Sequence, residues 1–233
     1  MSVGYHEGQD RKRTRAELYQ LIGNGDTAKL LARPVKVDTS HDVPYGGGNS
    51  VDGRNVYIDR RLYREIMDGN LVRGMTGRQI CNAIVEHEHV EWSVDAGDNA
   101  IDTYPPAHAF AEVAEGRIVS DMSIDPDRYN ACLKPALERC ARRVPGNPPR
   151  DLWCGPYFDE DDREILRALR AKGVEDASKA SKAEAHYGYG VNQCRDCTHF
   201  GVGPRAFGGG LASCALVSGP VRDSRQCKWW EKK

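Results

Sequence analysis

The chain has 233 residues, 39% hydrophobic and 29% charged, with a net charge of −1. That suffices for one medium domain with an appendage. The near-neutral balance argues against a polyanion as principal partner, and no apolar run approaches the roughly 18 residues of a membrane-spanning helix.

In chain order, residues 1–16 read as a basic flexible arm, with Arg11, Lys12, Arg13 and Arg15. The "AELYQLIG" that follows is too short and too polar for a signal-peptide core. A reducing cytoplasm is therefore expected, in which the eight cysteines stay unpaired. "RAELYQLIGNG" predicts a short helix ending on Gly-Asn-Gly. "RPVKVDTS" and "RNVYIDRRL" predict strands separated by a Gly-rich loop, "YGGGNSVDG". Thr76 is the expected N-cap of a helix through "QICNAIVEHEHVEWSV", with Gly97 near its end. The prolines of "DTYPP" open a second helix, "AHAFAEVAEGRIVSDM". A third runs from about Asp127 to Arg143 and carries Pro135. These elements form a domain over residues 17–150.

"VPGNPPRDLWCGPY" reads as a boundary. Residues 151–185 comprise a short helix, "DEDDREILRALRAKG", and a linker, "VEDASKASKAEA". The acidic "FDEDD" is explained by a helix N-terminus, where exposed amides stabilise carboxylates. A cysteine-rich domain occupies 186–233. The expected class is α+β: a short antiparallel sheet with metal-binding helices, followed by a small four-cysteine metal domain.

At about 100° per residue, Ile80, Ala83, Ile84, His87, Val90, Glu91 and Val94 share one face of the first long helix. His89 falls on the opposite side with Val85 and Trp92, and Glu88 at the edge of the stripe. On the second helix, His108, Ala111, Glu112, Glu115, Val119 and Met122 share a face. Burying a lone carboxylate costs several kcal/mol, comparable to the stability of a whole domain. Either His and Glu pair with each other in the core, or they converge on a metal. His108 and Glu115 stand about two turns, roughly 10 Å, apart, so one ligates and the other orients a ligand. Glu86 and His89 have the ExxH spacing of di-iron bundles, but His89 faces away from the stripe.

"HEHVE" resembles the HExxH signature of zincin metallopeptidases with Glu in place of the second His. The combination "YIDRRL … VEHEHVE … YPPAHAFAEVAE … DLWCGPYFDEDD", roughly Val35 to Asp162, resembles small zincin-like proteins encoded by bacteriophages and prophages. The resemblance implies that "NVYIDRRL" holds the edge strand that binds substrate. It implies His87, Glu91 and His108 as zinc ligands, with Glu115 behind them or in place of His108. It also implies Glu88 as the general base that takes a proton from the attacking water. Glu at position 91 weakens the metal as a Lewis acid and leaves open iron, manganese or a site without turnover. The implied function is a metal-dependent, peptidase-like hydrolase acting on a peptide. The alternative is a non-catalytic virion protein docking on other phage structural proteins. The implied location is the bacterial host cytoplasm or the virion.

Cys194, Cys197, Cys214 and Cys227 have the order C-x2-C-x16-C-x12-C, a metal signal open to zinc or an iron–sulfur cluster. The tail resembles high-potential iron–sulfur proteins in "CxxCxxF" (Cys194, Cys197, Phe200) and in Cys214, Leu216, Gly219 and Val221. It departs from them before Cys227, where the spacing is one residue shorter and "RQC" stands for "GWC". The resemblance implies a 4Fe–4S cluster caged by Tyr187, Tyr189, Phe200, Phe207, Trp229 and Trp230. A second, structural zinc is the alternative. Cys81, Cys132, Cys140 and Cys154 read as incidental thiols, and His6, His41, His186 and His199 carry no assignment. Arg195, Arg205, Arg222, Arg225 and Lys228 read as a solvated basic face, not a nucleic-acid site.

Overall fold

The computed structural model describes residues 30–69, 71–96, 104–141, 143–154, 162–179, 185, 193–201, 206–208, 211–212, 214–217, 221–222, 225, 227–228 and 231–232. The basic arm, the "RAELYQLIGNG" segment read as a helix, Gly97, His186, Tyr187, Tyr189, Trp229, Trp230 and the side chain of Phe207 lie outside them.

The fold is α+β. Strands β1 (Lys36–Asp38), β2 (Gly47–Asn49) and β3 (Asn55–Ile58) form one sheet. Helices α1 (Arg60–Asp68), α2 (Gly77–Ala96), α3 (Tyr104–Asp121), α4 (Pro126–Ala141) and α5 (Arg163–Ala171) follow. Strands β4 (Ala206–Gly208), β5 (Leu211–Ala212) and β6 (Val221–Arg222) form a second, antiparallel sheet in the cysteine-rich tail.

The first sheet has the order β1-β3-β2 and is mixed, not antiparallel as the sequence suggested: β1 runs parallel to β3, and β2 antiparallel to it. The cause is a strand hidden in the Gly-rich loop. Gly47–Asn49 turns back onto β3, which leaves the other edge of β3 to β1. The expected edge strand at 55–58 is thus the central one, because both of its edges are taken. Tyr45 turns the chain into β2 with φ 60° and ψ 0°, a conformation that non-glycine residues seldom adopt. Its hydroxyl donates to Asp162, at the N-terminus of α5.

Helix α2 begins where Thr76 and Gln79 exchange hydrogen bonds: Gln79 N–H donates to Thr76 Oγ1 at 3.3 Å, and Thr76 N–H to Gln79 Oε1 at 2.8 Å. Its first half buries Ile80, Ala83 and Ile84 against Leu62 and Ile66 of α1 and Tyr129 and Leu133 of α4. Each fully buried aliphatic side chain there contributes roughly 1.5–3 kcal/mol. Its second half is enclosed on further sides. Val90 and Val94 meet Ala107, Phe110, Ala111 and Ala114 of α3, while Trp92 packs with Val51 and Trp153. A Cβ on Gly53 (φ 65°) would lie 2.3 Å from the Trp92 ring, so both backbone and space require glycine there.

Two segments differ from the sequence reading. The proline-rich passage taken as a boundary is bonded into the first domain. Asp42 accepts from Gly146 and Asn147 N–H, each at 3.0 Å, and Ser50 bridges Leu152 in antiparallel fashion. The supposed linker packs as well: Val174, Asp176 and Ala177 are buried, and Asp176 accepts the Cys154 N–H at 2.8 Å. Low apolar content concealed this, because one aspartate at an otherwise unpaired buried amide fixes the segment.

Candidate metal centre

Helices α2 and α3 pack through Ala107, Ala111 and Ala114, whose small side chains let the two backbones come close. That proximity brings His108 of α3 over His87 and Glu91, which are one turn apart on α2. The ligand atoms of His87, Glu91 and His108 all lie within 4.8 Å of one another. These three residues could hold a metal ion. His87 Nε2 is 3.2 Å from His108 Nδ1 and 3.5 Å from Glu91 Oε2; His108 Nδ1 is 2.7 Å from Glu91 Oε2. Bonds of about 2.0–2.2 Å in a tetrahedron place donors roughly 3.3–3.6 Å apart. Two of the three separations fit this closely, and the third is a hydrogen-bond length.

The opposite nitrogen of His87 is held from behind. His87 Nδ1 is 2.9 Å from Glu115 Oε2, and Tyr129 of α4 donates its hydroxyl to Glu115 Oε1 at 2.7 Å. A carboxylate on the rear nitrogen fixes the tautomer that leaves the front nitrogen free to ligate. Glu115 thus stands where an orienting carboxylate would, while His108 belongs to the group that could hold an ion. His108 has a carboxylate on its far side too, with Nε2 3.7 Å from Glu112 Oε1.

Glu88 borders this cluster, with its carboxyl lying against β2. Asn49 Nδ2 donates to the Glu88 backbone carbonyl at 2.8 Å and to Glu88 Oε2 at 3.4 Å. A Cβ on Gly47 would fall 2.1 Å from Glu88 Oε1, so the carboxyl rests directly on the bare glycine. The position of His89 agrees with the expectation that it faces away: it is buried, with Nε2 3.2 Å from the Leu31 carbonyl oxygen.

The electrostatics follow from this crowding. Burial, then the neighbouring charge of Glu91, pushes the Glu88 carboxyl up to about 8. Burial would raise Glu91 too, but its bonds to His108 and His87 outweigh that and hold it below the usual range. Burial opposes a charge on His87, yet Glu115 and Glu91 hold its pKa well above the ordinary value. Burial and the adjacent Glu115 raise Tyr129, which therefore stays protonated as a donor.

Sequence reasoning placed His87, Glu88, Glu91, His108 and Glu115 together and missed Tyr129, Asn49 and Gly47. A tyrosine on the buried face of α4 is a legible signal, since its hydroxyl needs a partner. Asn49 and Gly47 sat in a segment read as loop.

In the tail, Cys194, Cys197, Cys214 and Cys227 are all buried, and none of the eight cysteines is in a disulfide. Cys194, Cys214 and Cys227 share a cluster with Ala185 and Val217, with Phe200 packed against it. Cys214 Sγ accepts the Leu216 N–H and Cys197 Sγ the Glu231 N–H, each at 3.4 Å. His199 points to Glu231 at 3.4 Å.

No family model, curated protein or solved structure compared with the chain matches it. No helix among the described residues is long and apolar enough to cross a membrane.

Proposed function

We propose that the protein is a bacteriophage-encoded metal-dependent hydrolase, peptidase-like in chemistry, with an iron–sulfur tail. The convergence of His87, Glu91 and His108, backed by the Glu115–Tyr129 pair, carries this reading. A structural zinc site is closed, whereas a catalytic one keeps a position open. Here His108 is 39% exposed while Glu91 is 5% exposed, so the centre opens on the α3 side. A divalent ion, zinc by the donor set, supplies Lewis-acid polarisation of a carbonyl and of the attacking water. His87, Glu91 and His108 hold the ion, and Glu115 keeps His87 in the ligating tautomer. Glu88, seated on Gly47 and Asn49, takes the water's proton and returns it to the leaving nitrogen.

The tail's buried cysteines suit a 4Fe–4S cluster, whose thiolates are stabilised by N–H groups such as those of Leu216 and Glu231. A second structural zinc is the competing occupant. Metal analysis with a visible spectrum of anaerobically purified protein distinguishes them.

The test of the hydrolase reading is amine release from a casein digest by the zinc-loaded chain. Glu88→Gln should retain zinc and lose at least roughly a hundredfold in rate. Equal rates in the two proteins reject the mechanism. One observation favours the alternative of a metal-stapled virion protein: residues 151–153 pair along the outer edge of β2, where an extended substrate would bind. Full zinc occupancy without any amine release, together with the chain at fixed copy number in purified particles, would favour that alternative.

A further inference from the structure

The same edge defines the substrate, if the hydrolase reading on which this rests is correct. Gly46 and Ser50 turn their amide groups toward β3: Gly46 O accepts from Asp59 N–H at 2.9 Å, and Ser50 N–H donates to Asn55 O at 2.9 Å. Alternation then points Gly47, Asn49 and Val51 outward. Two of these are occupied by the chain itself. Trp153 N–H donates to Asn49 O at 2.8 Å, and Val51 N–H to Asp151 O at 2.8 Å.

This pairing segment is no removable strap. Leu152 is buried among Val43, Tyr57, Ile165 and Leu169, and Trp153 among Trp92 and Val51. Tyr57 donates to Asp151 Oδ1 at 2.6 Å, and the Cys154 N–H is bonded to Asp176. An extended polypeptide therefore cannot continue along β2 past Gly47.

The open side of the centre carries charge. Glu112 is 63% exposed and lies beside His108, whose ring is the exposed ligand. With an ion in place, its two charges offset those of Glu91 and Glu115, which leaves the exposed Glu112 carboxylate beside His108 as the uncompensated charge at this opening. Such an entrance favours a cationic group.

We propose that the substrate is a short amide bearing a free amino group, which enters past His108 and Glu112 and ends at Gly47. Water adds to the carbonyl carbon and the C–N bond breaks. The water's proton reaches the leaving nitrogen through Glu88, giving a carboxylic acid and an amine.

The experiment uses the full zinc-loaded chain and three probes: a panel of aminoacyl 4-nitroanilides, the same panel N-acetylated, and fluorescein-labelled denatured casein. The expected result is cleavage of the free-amine panel with kcat/KM at least about fivefold above the acetylated one, and no internal cuts in casein. Glu112→Gln, at an exposed position, should cut that preference by roughly two- to fivefold through KM. Internal cleavage of casein, or equal rates on the two panels, overturns this inference and leaves the hydrolase reading standing. No release from any probe by a chain with stoichiometric zinc overturns the hydrolase reading itself, and this inference with it.

Discussion

Replacing Glu115 with Gln separates a metal centre from a core ion pair, the two arrangements that the distances between His87, Glu91, His108 and Glu115 allow. The substitution keeps the shape and removes the charge 2.9 Å behind His87 Nδ1. In a metal centre, loss of an orienting carboxylate weakens affinity by about 10–100-fold, or roughly 1.4–2.7 kcal/mol. Zinc at a hundred times the wild-type Kd stabilises the wild-type chain by about 2.7 kcal/mol. At the same zinc concentration the variant keeps about 1.4 kcal/mol if its Kd is tenfold weaker, and about 0.4 kcal/mol if it is a hundredfold weaker. In an ion-pair core the loss instead appears without metal, since breaking a buried pair costs about 3–5 kcal/mol. Urea unfolding of wild type and Glu115→Gln, each after chelator treatment and again with zinc, reads both quantities. If zinc leaves the wild-type midpoint where it was while the variant is already destabilised without metal, the metal centre is refuted.

Gly47→Ala places a methyl group 2.1 Å from Glu88 Oε1. It should destabilise the chain by about 1–3 kcal/mol and leave zinc affinity, read by calorimetry, within about twofold, because no ligand moves. Asp42 supplies the pH dependence. Burial would raise its pKa, but the Arg60 bond at 2.7 Å and the Asn147 N–H outweigh that and depress it. A depressed carboxylate stabilises the fold above its unfolded pKa of about 4, and this is lost as pH falls through the lower folded value. Asp42→Asn should therefore cost roughly 1.5–3 kcal/mol at pH 7 and progressively less toward pH 3; a constant difference in urea midpoints across that range would contradict the assignment. If the tail holds the proposed 4Fe–4S cluster, Cys197→Ser should abolish iron binding, with about four irons per chain lost from metal analysis, while metal at the helices is retained. Parallel loss of both metals would count against independent sites.

Local patterns made the two long helices and their inward His and Glu residues legible, because a polar residue at a position of apolar periodicity stands out in one dimension. Thr76 and Gln79 marked the start of α2 in the same way. The strand at 47–49 was hidden because glycines carry no apolar alternation; what holds it is backbone pairing to β3 and the seat it gives Glu88. The segment 151–153 was read as a boundary from its prolines, yet its Leu152 and Trp153 complete two core clusters. Tyr129, over forty positions from His87, joins the site only through packing of α4 on α2 and α3, which no local spacing encodes.

Proton bookkeeping favours a cation over self-pairing. His87 Nε2, His108 Nδ1 and Glu91 Oε2 face one another within 2.7–3.5 Å, and His87 Nδ1 is already committed to Glu115. Without a metal, a proton between His108 and Glu91 leaves His87 Nε2 facing a nitrogen whose lone pair or proton is already engaged. A dication satisfies all three atoms at once. Its two positive charges equal the two negative charges of Glu91 and Glu115, so neutral imidazoles complete a set without net charge. Burying such a set costs far less than burying an excess carboxylate, which is what α2 and α3 would otherwise enclose.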